Sequence, residues 1–120
     1  MKSEEIERQL EKINPYSETG GWCDSVKLIA AKTLSEFELR PEQVKVLAIA
    51  CDATERYHKA KEDIAAKGMT FVTQRGEVRK NPTIDIEREA RRDAVRFFRE
   101  LNLEGVNPEG RKPRIGGDYM

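Results

Sequence analysis

Apolar residues recur at helical spacing in four stretches of the chain, and between the third and the fourth the pattern changes to short extended runs. Residues 3–13 carry Ile6, Leu10 and Ile13 at spacings of four and three, with acidic residues in the first turn and Ser3 placed to cap the start. Asn14-Pro15 ends this helix, and residues 14–21, NPYSETGG, read as a loop suited to a hinge. In residues 25–36 Val26, Ile29, Ala30, Thr33 and Leu34 follow a helical period that continues to Phe37. Asp24 or Ser25 is the expected cap there, with Trp22 stapling the helix start. Arg40-Pro41 then breaks the chain and opens the longest helix, over residues 42–66.

That long helix has too much apolar surface for one partner. Val46, Leu47, Ala50, Cys51, Ala53, Tyr57, Ala60, Ile64 and Ala65 occupy about half of its circumference. Two packing partners are therefore expected. One is the helix that returns after the extended runs. The second is either a closely approaching helix of another copy, meeting Leu47, Ala50, Cys51, Ala53 and Tyr57, or the chain's own N-terminal helices.

The turning point is residues 68–82, GMTFVTQRGEVRKNP. Thr70, Phe71, Val72 and Thr73 are β-branched or aromatic, Val78 marks a second short run, and Gln74-Arg75-Gly76 between them is a turn with a glycine free to adopt positive φ. Gly68 ends the preceding helix. Asn81-Pro82 starts the next with a side-chain oxygen at the cap and a proline where no amide hydrogen is missed. The expected fold is mainly α: a helical hairpin of two long helices with a small β-hairpin at its tip, plus N-terminal helices. Residues 1–40 form the N-terminal helical region in this reading, 41–103 the helical-hairpin core and 104–120 a flexible tail.

The returning helix, 82–101, has the clearest wheel. Ile86, Ala90, Ala94, Phe97, Phe98 and Leu101 form an apolar stripe, while Arg88, Arg92, Arg96 and Arg99 lie roughly opposite within an arc of about 80°. Guanidinium groups in a row suit phosphate oxygens, which makes this stripe a candidate nucleic-acid contact. The alternative is a solvated face, since Glu89, Asp93 and Glu100 border the stripe at spacings that pair with Arg92 or Arg96.

Charge narrows these choices only slightly. Lys plus Arg and Asp plus Glu number 22 each, so no overall field argues for nucleic acid or a membrane. Residues 1–67 hold 11 basic and 13 acidic side chains and residues 68–120 hold 11 and 9, giving −2 and +2. With charged residues at 37% and hydrophobic ones at 38%, a 120-residue chain is one domain with a modest core, and burial shared between subunits is expected. Cys23 and Cys51 lack motif spacing and fit inert thiols in a reducing cytosol. No signal peptide is expected, and no apolar run approaches the roughly 18 residues of a membrane span. Glu55 and His58 have Glu-x-x-His spacing, with Glu62 a turn further on, but His58 is the only histidine, so neither a metal site nor any other cofactor is expected. No phosphate loop, nucleophile elbow or zinc pattern occurs, and nothing argues for an enzyme.

The order of elements through KGMTFVTQRGEVRKNP, a helix containing Ala90 and Phe97-Phe98, then Glu100-Leu101-Asn102-Leu103 and Pro108-Glu-Gly-Arg111, resembles the P27-type small subunit of bacteriophage terminase over residues 40–111. The matching positions are Gly68, Gly76, Asn81, Pro82, Leu101, Leu103, Pro108 and Arg111; Asn102 stands where the family usually has glycine, and residues 104–107 look like a small insertion. The resemblance implies a non-catalytic ring component of a genome-packaging motor, acting in the host cytoplasm. It would engage double-stranded viral DNA and deliver it to a large subunit with ATPase and nuclease activities. In that reading Arg88, Arg92, Arg96 and Arg99, with Arg75, Arg79 and Lys80 at the tip, are the DNA contacts, and residues 111–120 are the candidate contact to the large subunit. The rival reading is an oligomeric helical scaffold without a nucleic-acid role.

Overall fold

The structure, a computed structural model, describes residues 1–101. It contains α1 (Ser3–Ile13), two 3-10 turns (Asn14–Tyr16 and Thr19–Gly21), α2 (Asp24–Glu36), α3 (Pro41–Lys67), β1 (Thr70–Val72), β2 (Val78–Lys80) and α4 (Thr83–Leu101). Helices α3 and α4 pack side by side as an antiparallel pair joined by the β-hairpin, and α1 and α2 gather at the base of the pair. Asn102, the matching positions Leu103, Pro108 and Arg111, and the candidate contact at 111–120 lie outside the described residues.

The N-terminal helices cover the second face of α3. Leu10 and Ile13 of α1, Trp22, and Val26, Ala30 and Leu34 of α2 form one cluster with Val44, Leu47, Ala48 and Cys51 of α3, and Leu101 closes it from the far end of α4. On the α3 wheel Ala50, Ala53 and Ala60 lie on the other side, toward α4, and all three are buried. Small side chains there let the two long helices approach closely. Of that apolar half-circumference, Leu47, Ala50, Cys51, Ala53 and Ala60 are buried within one chain, Val46, Tyr57 and Ile64 are half-buried and Ala65 is exposed.

Residues 14–21, expected as a hinge, and Trp22 after them are stitched down instead. Thr19 Oγ1 donates to Asn14 Oδ1, Ser17 Oγ donates to Asp52 Oδ1, and the Trp22 indole N–H donates to the same Asp52 oxygen at 2.9 Å. The helix starts also differ from expectation. Helix α1 begins one residue earlier, so Ser3 is its first helical residue and makes no capping bond. Helix α2 has Cys23 at its N-cap, and neither Asp24 nor Ser25 caps it. Glu55 reaches across from α3 to accept the Cys23 amide at 2.9 and 3.2 Å, a cap supplied by tertiary structure.

The tip follows the sequence closely. Gly68 takes φ +85° as α3 ends, where a side chain would be strained. Thr70 pairs with Lys80, Phe71 with Arg79 and Val72 with Val78 in an antiparallel ladder. The Thr73 carbonyl accepts the Gly76 amide at 2.9 Å, and Gly76 has φ +81°, a three-residue turn ending in a left-handed glycine. Asn81 does two jobs: its Oδ1 accepts the Thr83 amide at 3.0 Å, capping α4, and its Nδ2 donates to the Gly68 carbonyl at 3.0 Å, tying the two helix ends together.

Candidate nucleic-acid interface

Helix α4 turns its arginines away from α3. Ala90 and Leu101 are buried and Ala94, Phe97 and Phe98 are half-buried, whereas Arg88, Arg92, Arg96 and Arg99 are all exposed. At 100° per residue the buried arc centres almost opposite the arginines. Ile86, expected in the apolar stripe, is exposed, because it sits at the edge of that arc while Thr83, Ile84 and Glu87 take half-buried positions. The arrangement adds a fifth cation missed from the sequence: Arg91, also exposed, lies about 60° from Arg88 on the wheel. Its signal was available as a run of two arginines, but its wheel angle falls outside the tight stripe.

The helix is neutral as a whole, with Asp85, Glu87, Glu89, Asp93 and Glu100 against five arginines. Three of the acids lie together, while Asp85 falls within the arginine arc and Glu87 on the apolar side. Glu89, Asp93 and Glu100 share one border of the stripe, and among the described residues only Arg96 of the five makes a salt bridge, to Glu100 at 3.4 Å. Its guanidinium also lies 5.4 Å from the centre of the Phe97 ring. Both partners of the Arg96 pair are largely exposed, so the pair is weak and open to exchange for a phosphate.

The tip cations are placed differently. Arg75, Arg79 and Lys80 are exposed, but Arg79 bonds Glu77 at 2.8 Å and Lys80 bonds Asp85 at 2.8 Å. The Lys80 bond, then its charge and that of Arg88, hold the Asp85 carboxyl below its ordinary pKa despite an opposing desolvation. Below the tip, bonds from Lys67 and Thr83 do the same for Asp63. Arg75 in the turn makes no salt bridge among the described residues.

Four of the residues expected at an interface between copies do not reach the surface. Leu47, Ala50, Cys51 and Ala53 are fully buried inside the single chain, the first and third under the N-terminal helices and the other two on the α4 side. Tyr57 alone is partly open, with Lys61 Nζ 5.4 Å from its ring centre and the His58 ring beside it. Burial pushes the Cys51 thiol up to about 12, with the Asp52 charge adding to the effect, so it stays protonated, whereas Cys23 is exposed. An open recess of about 400 Å³ is lined by Cys23, Glu55, His58 and Glu62 among others, the residues weighed for a metal. Glu55 is committed to the Cys23 amide there, and no group of three or more His, Cys, Asp or Glu among the described residues is arranged to hold a metal ion.

The chain is thus an α-helical hairpin with a small β-hairpin at its tip and two N-terminal helices packed at its base. Residues 27–112 match the family of the phage terminase small subunit, and with that much of its length matched the chain belongs to this family. No curated protein and no solved structure matches the chain. The family places the protein in phage DNA packaging, with DNA and the terminase large subunit as partners in general, and its members are generally the non-catalytic component. No helix among the described residues is long and apolar enough to cross a membrane.

Proposed function

We propose that the chain is a P27-type small subunit that assembles with copies of itself into a ring. In the host cytoplasm it holds double-stranded viral DNA and presents it to the large ATPase and nuclease subunit, whose activity it regulates. The observation that carries this reading is the exposed row of Arg88, Arg92, Arg96 and Arg99, bordered on one side by Glu89, Asp93 and Glu100. From Arg88 to Arg99 the row spans eleven residues of helix, or about 16 Å, comparable to about five base-pair steps along a duplex. Guanidinium groups at this spacing meet phosphates without reading base edges, so binding is largely blind to sequence. Arg75, Arg79 and Lys80 stand at the tip beyond the row, and the last two are already paired with Glu77 and Asp85, so the four arginines of the stripe carry the DNA contact.

A neutral chain is a poor DNA ligand alone, and repetition is what makes the row effective. A ring sets one stripe per subunit at fixed spacing, so each contact after the first forms at high effective concentration. The role is electrostatic and positional and needs no cofactor. The scaffold reading draws on the Arg96–Glu100 pair and the net neutrality of α4. Native mass spectrometry with and without a short duplex separates the two. A closed multimer that gains DNA is expected, and a closed multimer that ignores DNA selects the scaffold.

A further inference from the structure

The three most exposed large apolar side chains among the described residues, Met69, Val72 and Val78, all lie at the tip. Met69, Phe71, Val72 and Val78 are 65%, 46%, 67% and 69% exposed. With the Arg79 and Lys80 charges already answered by Glu77 and Asp85, this surface is better suited to protein than to phosphate. A two-stranded sheet also has two open edges, and the register shows what each presents. The Thr73 amide donates to the Glu77 carbonyl and the Asn81 amide to the Met69 carbonyl, so 69/81, 71/79 and 73/77 are the pairs that bond within the hairpin. By the alternation of an antiparallel ladder, the backbone groups of Thr70 and Val72 point out of one edge and those of Val78 and Lys80 out of the other. The edges differ in protection. Strand β2 carries Arg79 and Lys80, charges of the kind that discourage pairing, while β1 (Thr-Phe-Val) carries none.

We infer that the hairpin is a subunit contact in which the β1 edge of one copy pairs antiparallel with the β2 edge of the next, Val72 beside the neighbour's Val78 and Thr70 beside its Lys80. This rests on the ring reading above and deepens it. The occupant is a second copy because two open edges of one hairpin are satisfied together only by repetition: a foreign strand fills one edge, and a two-fold pairing of β1 with β1 leaves both β2 edges open. Head-to-tail pairing leaves no edge in a closed ring, and it continues the Val72 and Val78 row from copy to copy on one face of the sheet.

The test uses prolines at the outward-facing positions. Val72→Pro and Val78→Pro each delete an amide that points away from the hairpin, leaving the internal bonds at 71/79 and 73/77 in place. Slow hydrogen exchange at the Thr73 and Asn81 amides reports that the hairpin is intact, and Val72→Lys and Val78→Lys provide a second pair that blocks the edges by charge. Each variant alone is expected to raise the concentration for half-assembly by about tenfold or more, the loss of one hydrogen bond per interface. A mixture of the two proline variants is expected to form a one-to-one heterodimer, because one intact β1 edge and one intact β2 edge remain. Unchanged assembly by all four variants overturns the hairpin contact while leaving a wild-type ring standing. An effect of the residue-72 variants alone points to two-fold pairing and overturns the head-to-tail arrangement, and a monomeric wild-type chain removes both the contact and the ring.

Discussion

The arginine row makes a quantitative prediction about salt. Each phosphate contact contributes about −0.9 to the slope of log K against log salt on duplex DNA, so four contacts per engaged subunit give about −3.6. Between 50 and 200 mM salt that is a loss of roughly 150-fold in affinity per engaged subunit. Replacing Arg92 and Arg96 by alanine leaves two contacts and a slope of about −1.8, a loss of roughly 12-fold over the same range. The halving does not depend on how many subunits touch the duplex, provided each uses the same row. The fold is not at stake, since both side chains are exposed and the only pair removed, Arg96 with Glu100, is of the kind worth about 0.3–0.5 kcal/mol. Fluorescence anisotropy with a labelled duplex across this salt range gives the slope, and a melting curve gives the control. A double variant that melts and assembles like the wild type and keeps its salt slope would refute the row as the DNA contact.

Three further outcomes follow from the core and the tip. Leu101→Ala removes the fully buried side chain that closes the base cluster from α4, and thermal unfolding should show a loss of about 2–5 kcal/mol; a loss under 1 kcal/mol would mean that α4 does not dock on the N-terminal helices. The Cys51 thiol, raised to about 12, favours the folded state below the thiol's unfolded pKa of about 9, and this stability declines as pH rises toward 12. Native labelling should therefore modify Cys23 alone, and Cys51→Ala should flatten the alkaline decline in melting temperature. Asp63 and Asp85 have lowered pKa values, so their contribution to the tip is present above the ordinary carboxylate range of about 4 and is lost as pH falls below it. The protection of the Asn81 and Thr83 amides, measured against the free-amide exchange rate at the same pH, should fall below that pH, and Asp63→Asn should remove part of the dependence.

The sequence made legible whatever was decided within a few residues. Gly68, Gly76 and Asn81-Pro82 each impose a local geometry that few other residues tolerate, and the tip formed where they stand. The arginine face was legible because a helix converts spacing into direction without help from the rest of the chain. What failed to show were choices settled by tertiary contact. The wide apolar face of α3 had two candidate coverings, and in the single chain the N-terminal helices bury Leu47 and Cys51 while Ala50 and Ala53 are buried toward α4. Nothing in the sequence singles out Asp52, and Glu55 stands out only for its spacing from His58; the fold brings them to Ser17, Trp22 and the Cys23 amide, where they hold the N-terminal segment to α3. In sequence the valines of the tip read as strand formers, and their exposure depends on how the hairpin stands beyond the two helices.

Filling the inner faces in this way leaves two surfaces unfinished, the arginine side of α4 and the edges of the hairpin, and their roles can be separated. If the edges join the copies and the arginines hold the DNA, a Val72→Pro subunit keeps every arginine and loses its neighbours. Its salt slope should fall to the single-subunit value of about −3.6, with a large loss of affinity because no second stripe is held near the duplex. The Arg92→Ala/Arg96→Ala protein should do the reverse, assembling normally while halving the slope. Mass spectrometry reads the first change and anisotropy the second, on the same two proteins. Were the Val72→Pro protein to dissociate into monomers yet bind with the wild-type slope, DNA would be engaging one subunit at a time, and the ring would have some purpose other than multiplying the arginine row.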